Sequence, residues 1–289
     1  MGRARSLLTL CLFLAGSLSA QQTASAPPAT TTVSDPRALA LVQQSFAALA
    51  SGTSISDVTL TGNAHRTIGS DDENGPITLE ATAAGDSRVG FNFPSGNRIE
   101  IRNTSAVPPA GGLPPSLPAT VAQTSQPVGA WSEADGILHE MAQHNLQTDP
   151  TWFFPEFTIG RLVTSSNYIL SYLGQGEYDN QNALRVSASA AISQGASQMA
   201  ALQQHLSQME LYLDPNSLLP IALAFDVHPD DNAAVDIPTR IEFSSYQQVD
   251  GAKIPFHLQK YVNNVLVLDI QCERAVVNSG LATSDFQVQ

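Results

Sequence analysis

The sequence MELYLDPNSLLP, at Met209–Pro220, opens the stretch that decides the fold. Four runs follow it in which apolar and polar residues alternate, and turn signals such as Asp250-Gly251 and Asn263-Asn264 separate them. Alternation with period two, interrupted by turn residues of this kind, is typical of consecutive antiparallel strands. The sequence therefore predicts a closing meander made of Ile221–Val227, Ile237–Val249, Lys253–Tyr261 and Val265–Val276.

Upstream, an amphipathic helix is predicted to begin at Asp35 and Pro36. Asp35 is a favourable N-cap residue, and proline suits the first helical turn. Gly52 is expected to end the helix, because glycine adopts a positive φ without strain. The apolar residues at helical spacing between these limits are Leu39, Val42, Phe46 and Leu49.

A first group of about four strands is predicted after this helix. The expected turns are Asp71–Gly75, which contains an Asn-Gly pair, and Pro94–Asn97. Around them the apolar residues alternate with polar ones, as expected for strands that bury one face. The alternating runs are Val58–Ala64, Ile77–Ala83, Val89–Phe93 and Ile99–Ile101.

The middle of the chain is less regular. Residues 105–129 are rich in proline and glycine, which predicts a long loop or an extended polyproline-type insertion. Ser132 and Asp135 form a plausible capping pair for a helix that carries Ile137, Leu138 and Met141.

Beyond this region the alternating pattern resumes. Strands are expected around Tyr168–Tyr172 and Ala183–Ala188. Met199, Leu202, Leu206 and Met209 repeat at helical spacing, which predicts a short helix that leads into the closing meander.

The N-terminus has the features of a secretory signal peptide. Arg3 and Arg5 precede a short apolar run, and small residues lie before the expected cleavage site after Ala20. Residues 21–34 are rich in Ala, Pro, Thr and Ser, which predicts a flexible tether. We therefore expect an exported, periplasmic or secreted protein with one domain at residues 35–289 and no membrane-spanning segment. Its only cysteine would be Cys272, so packing rather than a disulfide must stabilise it.

The chain is acidic, with 26 Asp and Glu residues against 13 Lys and Arg and a formal net charge of −13. Such a surface repels the phosphates of nucleic acids and anionic lipid head groups. Nucleic acid is therefore not an expected partner.

Several local motifs resemble the periplasmic lipoprotein-carrier superfamily, of LolA and LolB type. They are strongest over residues 209–286, weaker over 35–102 and absent over 105–165. The matching residues are Leu213-Asp214-Pro215 with Leu219-Pro220, Tyr246–Pro255, and Val277–Leu281 with Asp285-Phe286.

This resemblance implies an α+β fold in which a strongly curved antiparallel sheet forms an incomplete β-barrel. Helices cover or fill its concave face, which accepts acyl chains in the carriers. The carriers also use an arginine near the second or third strand to hold the lid closed, and Arg88 is the nearest positional candidate. The proline-rich insertion departs from the carrier pattern.

The polar motifs give no metal or catalytic site. His139 and His144 are five residues apart and on a helix would point about 140° apart, so solvated helix histidines are expected. His65, His205, His228 and His257 have no partner at ligand spacing. The segment Ser70–Ala81 resembles a calcium loop but ends in alanine where a carboxylate is required, so a hairpin turn is favoured. Asp230-Asp231-Asn232 is interpreted as a polar turn.

No catalytic motif occurs in the sequence, so the protein is not expected to be an enzyme and no cofactor is expected. Aromatic and apolar residues are the remaining candidates for a binding site. They either line a cavity for an apolar ligand or fill the barrel, and packing is the favoured interpretation. The candidates are Phe91, Phe93, Trp152, Phe153, Phe154, Phe157, Tyr168, Tyr172, Leu223 and Phe225.

The leading functional expectation is therefore non-enzymatic binding of a hydrophobic, lipid or acyl ligand in a half-barrel. The alternative is a protein-interaction or envelope-sensing module with a plugged barrel, no ligand and an envelope protein as its partner.

Overall fold

The strands of the described residues form one thirteen-stranded antiparallel sheet. The computed structural model describes residues 33–104, 127–149, 151–192 and 198–288. The predicted signal peptide, almost all of the tether and residues 105–126 of the proline-rich insertion lie outside them. The strands are β1 Asp57–Ile68, β2 Asp71–Thr82, β3 Ser87–Phe93, β4 Gly96–Asn103, β5 Val128–Ser132, β6 Leu138–Glu140, β7 Tyr168–Tyr178, β8 Gln181–Ala190, β9 Met209–Leu213, β10 Pro220–Val227, β11 Ile237–Val249, β12 Ala252–Val262 and β13 Val265–Val277.

The strand order shows two meanders joined at the centre of the sheet. The order is β6-β5-β4-β3-β2-β1-β13-β12-β11-β10-β9-β8-β7, so the first and last strands are neighbours. Val58 pairs with Val277 at this central junction. The outermost strands, β6 and β7, do not pair with each other, and the barrel stays open.

Tight turns that favour asparagine, aspartate and glycine connect the long hairpins. Asp250 and Gly251 join β11 to β12 with φ values of 48° and 96°, and Asn263 and Asn264 join β12 to β13 with 50° and 63°. Two consecutive positive φ angles match the twist of the flanking strands. The predicted closing meander is confirmed, as are the first group of strands and the strands around Tyr168 and Ala183.

Three α-helices and two short 3₁₀ turns, Asn145–Gln147 and Thr283–Phe286, complete the described part of the chain. The helices are α1 Pro36–Ala50, α2 Pro155–Thr164 and α3 Gln198–Leu206. The N-cap carboxylate of Asp35 accepts a hydrogen bond from the backbone N–H of Arg37. The helix α1 ends at Ala50; its C-cap residue Ser51 takes a left-handed φ of 47°, and Gly52 follows with a φ of 84°. No helix among the described residues is long and apolar enough to cross a membrane.

The hydrophobic core lies between the sheet and α1 and α2. Val42 and Leu49 of α1 and Ile159 and Leu162 of α2 are buried together with the inward-facing residues of both meanders. The helices therefore cover and fill the concave face. The predicted fold class, an α+β protein built on a curved antiparallel sheet that forms an incomplete barrel, is confirmed.

The predicted turn at Asp71–Gly75 is wrong. The β1–β2 hairpin turns earlier, at Gly69 and Ser70, and Gly69 has a φ of 63°. The Asn-Gly pair instead lies within β2, where Asn74 pairs with His65. The segment that resembles a calcium loop is therefore extended strand.

The predicted helix after Ser132 is also wrong. Ser132 is a buried residue of β5 that pairs with Leu138 in the short strand β6. Between these strands, Asp135 accepts a hydrogen bond from the N–H of Ile137, and Gly136 has a φ of 72°. This local side-chain bond makes a turn and competes with helix formation. Because β5 begins at Val128, the loop ends two residues before the predicted end at residue 129.

Candidate functional site

Alternate residues of most strands point into the half-barrel and form an apolar wall on its concave side. Leu223 pairs with Ile241 across β10 and β11, and both side chains point into the core. Their neighbours along each strand point outward, as the pleat requires. The wall includes Val58, Leu60, Leu79, Val89, Leu211, Leu223, Ile241, Ile254, Leu258 and Ile270.

The N-terminal end of α1 is attached to the edge strand β7. The N–H of Asp35 donates to the carbonyl of Leu170 at 2.8 Å, and the N–H of Leu170 donates to the hydroxyl of Ser34 at 3.0 Å. The guanidinium of Arg37 lies 3.8 Å from the ring centroid of Tyr172. A cation over an aromatic face adds attraction to these backbone bonds.

The other end of α1 reaches the β11–β12 hairpin. The hydroxyl of Thr53 donates to the carbonyl of Asp250 at 3.1 Å. The helix therefore lies across the interior, from the edge of the sheet at β7 to the turn between β11 and β12.

A second helix lies against the first. Gly160 of α2 contacts Phe46 of α1, and a Cβ atom at position 160 would lie 3.1 Å from Cε2 of Phe46. The absence of a side chain at Gly160 lets the two helices approach closely. Together α1 and α2 form the cover of the apolar interior.

A buried ion pair anchors α2 and the aromatic segment before it. The Asp149 carboxylate, which is fully buried, accepts hydrogen bonds from the N–H and hydroxyl of Thr151 at 2.9 and 3.1 Å. It also accepts from the hydroxyl of Thr158 and the guanidinium of Arg161. A buried carboxylate with this many donors is fully satisfied.

The predicted binding-site residues all belong to the core or pack against it. Trp152 and Phe153 form an edge-to-face pair with ring centroids 5.4 Å apart, and Phe154 and Phe157 form another at 4.7 Å. Trp152, Phe153 and Phe154 directly precede α2, and Phe157 lies in its first turn. The buried members are Phe93, Trp152, Phe153, Phe154, Phe157, Leu223 and Phe225, and the half-buried ones are Phe91, Tyr168 and Tyr172.

Two polar atoms in the cover have no hydrogen-bond partner among the described residues. They are Oγ of Ser45 on α1 and Oε2 of Glu156 at the start of α2, and both residues are buried. Burial raises the pKa of the Glu156 carboxyl to about 7. An apolar interior with a few buried polar groups matches the usual composition of a small-molecule site.

A cavity of about 190 Å³ lies between β4, the 3₁₀ turn Asn145–Gln147 and α2. Its lining includes Arg102, Leu146, Leu162 and Tyr168. Pockets for drug-sized ligands usually measure about 300–1,000 Å³. This cavity is therefore too small for a ligand of that size.

Arg88, the positional candidate for a lid-closing arginine, lies on the outer face of β3. Its side chain is exposed, and it faces Glu80 and Ile101 in the neighbouring strands. The buried neighbour Val89 points to the interior in its place.

The outer face of β7 to β12 carries a groove of about 700 Å³ whose lining includes tyrosine, arginine and acidic residues. The guanidinium of Arg240 lies 4.3 Å from the ring centroid of Tyr261 and 5.6 Å from that of Tyr178. Arg185 and Tyr212 extend the same surface, with the cation 5.7 Å from the ring centroid.

The histidines are placed differently from the sequence expectation. His139 lies in β6 and stacks on Trp131 at 4.6 Å, and His144 precedes a 3₁₀ turn, so neither is a helix residue. His205 and His228 both lie close to Asp236, so each has a neighbouring side chain of a type that can bind a metal ion. Spacing along the chain gives no signal for this cluster, because its members come from separate elements.

No protein-family model matches the chain, and no curated protein matches it in sequence. Solved structures match it in fold. An outer membrane lipoprotein-sorting protein domain from Vibrio parahaemolyticus is 11% identical, with 86% of this chain and 96% of that chain covered and a TM-score of 0.50. A DUF1329 family protein from Desulfovibrio piger is 8% identical, with 86% and 97% covered and a TM-score of 0.48.

A LolA superfamily protein from Nitrosomonas europaea is 7% identical to the chain, with 87% and 97% covered and a TM-score of 0.45. At such identities a structural match shows the fold and no more. The resemblance expected from the closing meander is confirmed at this level: the chain has the fold of the lipoprotein-carrier superfamily.

Proposed function

We propose that this protein is an exported, non-enzymatic binder of a hydrophobic, lipid or acyl ligand, held between the open sheet and the cover formed by α1 and α2. The observation that carries this proposal is the apolar concave wall beneath two helices. The signal-peptide pattern at residues 1–20 supports a periplasmic or secreted location.

Binding would require the cover to separate from the wall. Each methylene group of an acyl chain that enters the interior contributes about 0.8 kcal/mol. The aromatic residues Trp152–Phe157 would then contact the chain from the helix side, while Leu223 and Phe225 contact it from the sheet. The ligand would then contact predicted binding-site residues on both the helix side and the sheet side of the interior.

The polar end of an amphiphile would find two unpaired groups in the cover. The Ser45 hydroxyl can donate to a carbonyl or ester oxygen, and Glu156 can donate while it is protonated, which its raised pKa favours below about pH 7. Buried polar groups of this kind orient a ligand that is otherwise held by apolar contact.

A second candidate function is a protein-interaction or envelope-sensing module with a permanently plugged barrel. The tight packing of Phe153 and Phe154 in the interior favours it. So does the outer groove around Arg240 and Tyr261, because tyrosine and arginine are enriched at protein interfaces. In this alternative the partner is an envelope protein, and no ligand enters the interior.

Mass spectrometry of an organic extract tests the two candidates. Protein recovered from the periplasm is expected to carry a stoichiometric acyl-chain species, and the emptied protein is expected to enhance the fluorescence of an apolar probe. An empty extract together with no fluorescence gain contradicts ligand binding. Co-purification of an envelope protein with an empty extract favours the interaction module.

A pair of variants on adjacent residues of α1 locates the site. Ser45→Leu places apolar bulk at a buried position, and Gln44→Leu places the same side chain at an exposed one. We expect Ser45→Leu to weaken probe binding and Gln44→Leu to leave it unchanged, provided that both variants show the cooperative unfolding of the wild type. Equal probe binding by both variants would show that the probe does not bind beneath α1.

A further inference from the structure

The ends of three elements meet on one side of the sheet. The strands β10 and β11 pair as far as Val227 and Ile237, so His228 and Asp236 are the next residues and lie side by side. The helix α3 precedes β9, the other neighbour of β10, and brings His205 to the same place.

These three side chains are close enough to share one ion. The Nε2 atom of His205 lies 2.9 Å from Oδ1 of Asp236, and Nδ1 of His228 lies 3.5 Å from the same oxygen. One potential ligand atom from each residue lies within 4.8 Å of the other two.

His228 supplies an independent indication of a ligand. Only 1% of its side chain is exposed, and its Nδ1 lies 3.0 Å from the carbonyl oxygen of Val235. If Nδ1 donates to that carbonyl, Nε2 carries the lone pair, and this nitrogen is buried without a hydrogen-bond partner among the described residues. A histidine whose other ring nitrogen donates to a backbone carbonyl is the usual form of a metal ligand.

The backbone of the β10–β11 connection is held in place by His144 and Asn145, at the start of the 3₁₀ turn. The side chain of Asn145 accepts from the N–H of His228 at 3.1 Å and donates to its carbonyl at 2.8 Å. The same amide donates to Asp230 at 2.9 Å, and the ring of His144 lies 2.9 Å from the carbonyl of Pro229. The segment is therefore fixed by contacts that do not involve the three clustered side chains.

We propose that His205, His228 and Asp236 form a binding site for Zn²⁺ or a similar borderline transition-metal dication. Two imidazoles and one carboxylate suit zinc, which binds histidine nitrogen at about 2.0–2.1 Å and carboxylate oxygen at about 2.0–2.2 Å. Calcium and magnesium prefer sites made of oxygen alone. Three protein ligands leave a fourth position for water or for a group from another molecule.

Calorimetric titration with ZnCl₂ tests the proposal. The protein is expressed from its complete coding sequence without a polyhistidine tag and is treated with a chelator before the titration. We expect one Zn²⁺ per chain. His205→Gln and Asp236→Asn alter partly exposed side chains and are expected to lower the affinity at least about tenfold, since loss of a group that only hydrogen-bonds a metal ligand commonly costs that much.

His65→Gln is the matched control. His65 also contacts an aspartate, Asp72, at 2.6 Å, but the pair belongs to no group of three ligands within the described ranges. Zn²⁺ should raise the unfolding temperature of the wild type and of His65→Gln, because binding to the native state alone stabilises it, and should raise that of His205→Gln by less. A wild-type titration without a saturable site overturns the proposal, as does an equal loss of affinity in His65→Gln.

Discussion

The Asp57 carboxylate at the start of β1 accepts hydrogen bonds from both the backbone N–H and the hydroxyl of Ser279, each at 2.7 Å. These residues are 222 positions apart in the chain. The N–H of Gly280 and the hydroxyl of Ser56 also donate to the same carboxylate. This buried carboxylate thus fastens the first strand to the segment that follows the last, next to the junction where the two meanders meet.

Asp57→Asn is expected to lower the free energy of unfolding by about 2 kcal/mol, because an amide cannot accept all of these hydrogen bonds. Burial tends to raise the Asp57 pKa, but the bonds from Ser279, Ser56 and Gly280 together hold it below its ordinary value of 3.8. The carboxylate therefore stabilises the fold above about pH 4, and this contribution is lost as the pH falls through its lower native pKa.

Urea unfolding measures this effect at neutral pH and in acid. The loss caused by Asp57→Asn should shrink as the solution is acidified, and the exposed control Asp231→Asn should change the free energy by less than about 0.5 kcal/mol. Equal effects of the two substitutions at neutral pH would refute the proposed role of Asp57.

The hairpins were predictable from sequence because their signals are local. Asp250-Gly251 and Asn263-Asn264 adopt the positive φ angles that the residue types favour, and the flanking alternation fixes which face is buried. The α1 helix was equally predictable from Asp35 and its apolar spacing. Each of these elements is specified by residues that lie within a few positions of one another.

The errors arose where neighbouring strands overrode local preference or where contacts were distant in sequence. The β1–β2 hairpin turns at Gly69, before the predicted turn, so Asn74 lies in a strand and pairs with His65. The cluster of His205, His228 and Asp236 depends on the pairing of β10 with β11 and on the position of α3. The sequence could not reveal that proximity, because no fixed spacing connects the three residues.

Arg161→Met is expected to destabilise the protein by about 3 kcal/mol. The substitution leaves the fully buried Asp149 carboxylate without its cation, and an unpaired buried charge is costly. The matched control is Arg185→Met, which breaks a more exposed pair with Glu210 and should cost less than about 1 kcal/mol. Comparable losses in urea unfolding would show that the Asp149 ion pair does not anchor α2.

Glu156 predicts an unusual dependence of stability on pH. Burial raises its native pKa to about 7 from the ordinary value of 4.5, so the native state keeps a proton that the unfolded chain releases. The free energy of unfolding should therefore fall as the pH rises from about 4.5 to about 7, by up to about 3 kcal/mol, and then level off.

Glu156→Gln isolates this contribution, because glutamine stays neutral. The variant should gain stability relative to the wild type when the pH is raised from about 5 to about 8. Parallel stability curves for the two proteins over that range would exclude a raised pKa at Glu156.

Gly62→Ala is expected to destabilise the sheet by about 1–3 kcal/mol or more, through crowding at the central junction. Gly62 lies at the register shift between β1 and β13, where a Cβ atom would be only 2.0 Å from the carbonyl oxygen of Gln271. Because that atom belongs to the backbone, the strands themselves would have to move. Gly90→Ala in β3 is the control, since its nearest neighbour would be the Thr78 carbonyl at 3.9 Å. Thermal unfolding should separate the two variants clearly, and equal unfolding temperatures would contradict the close approach of β1 and β13 at Gly62.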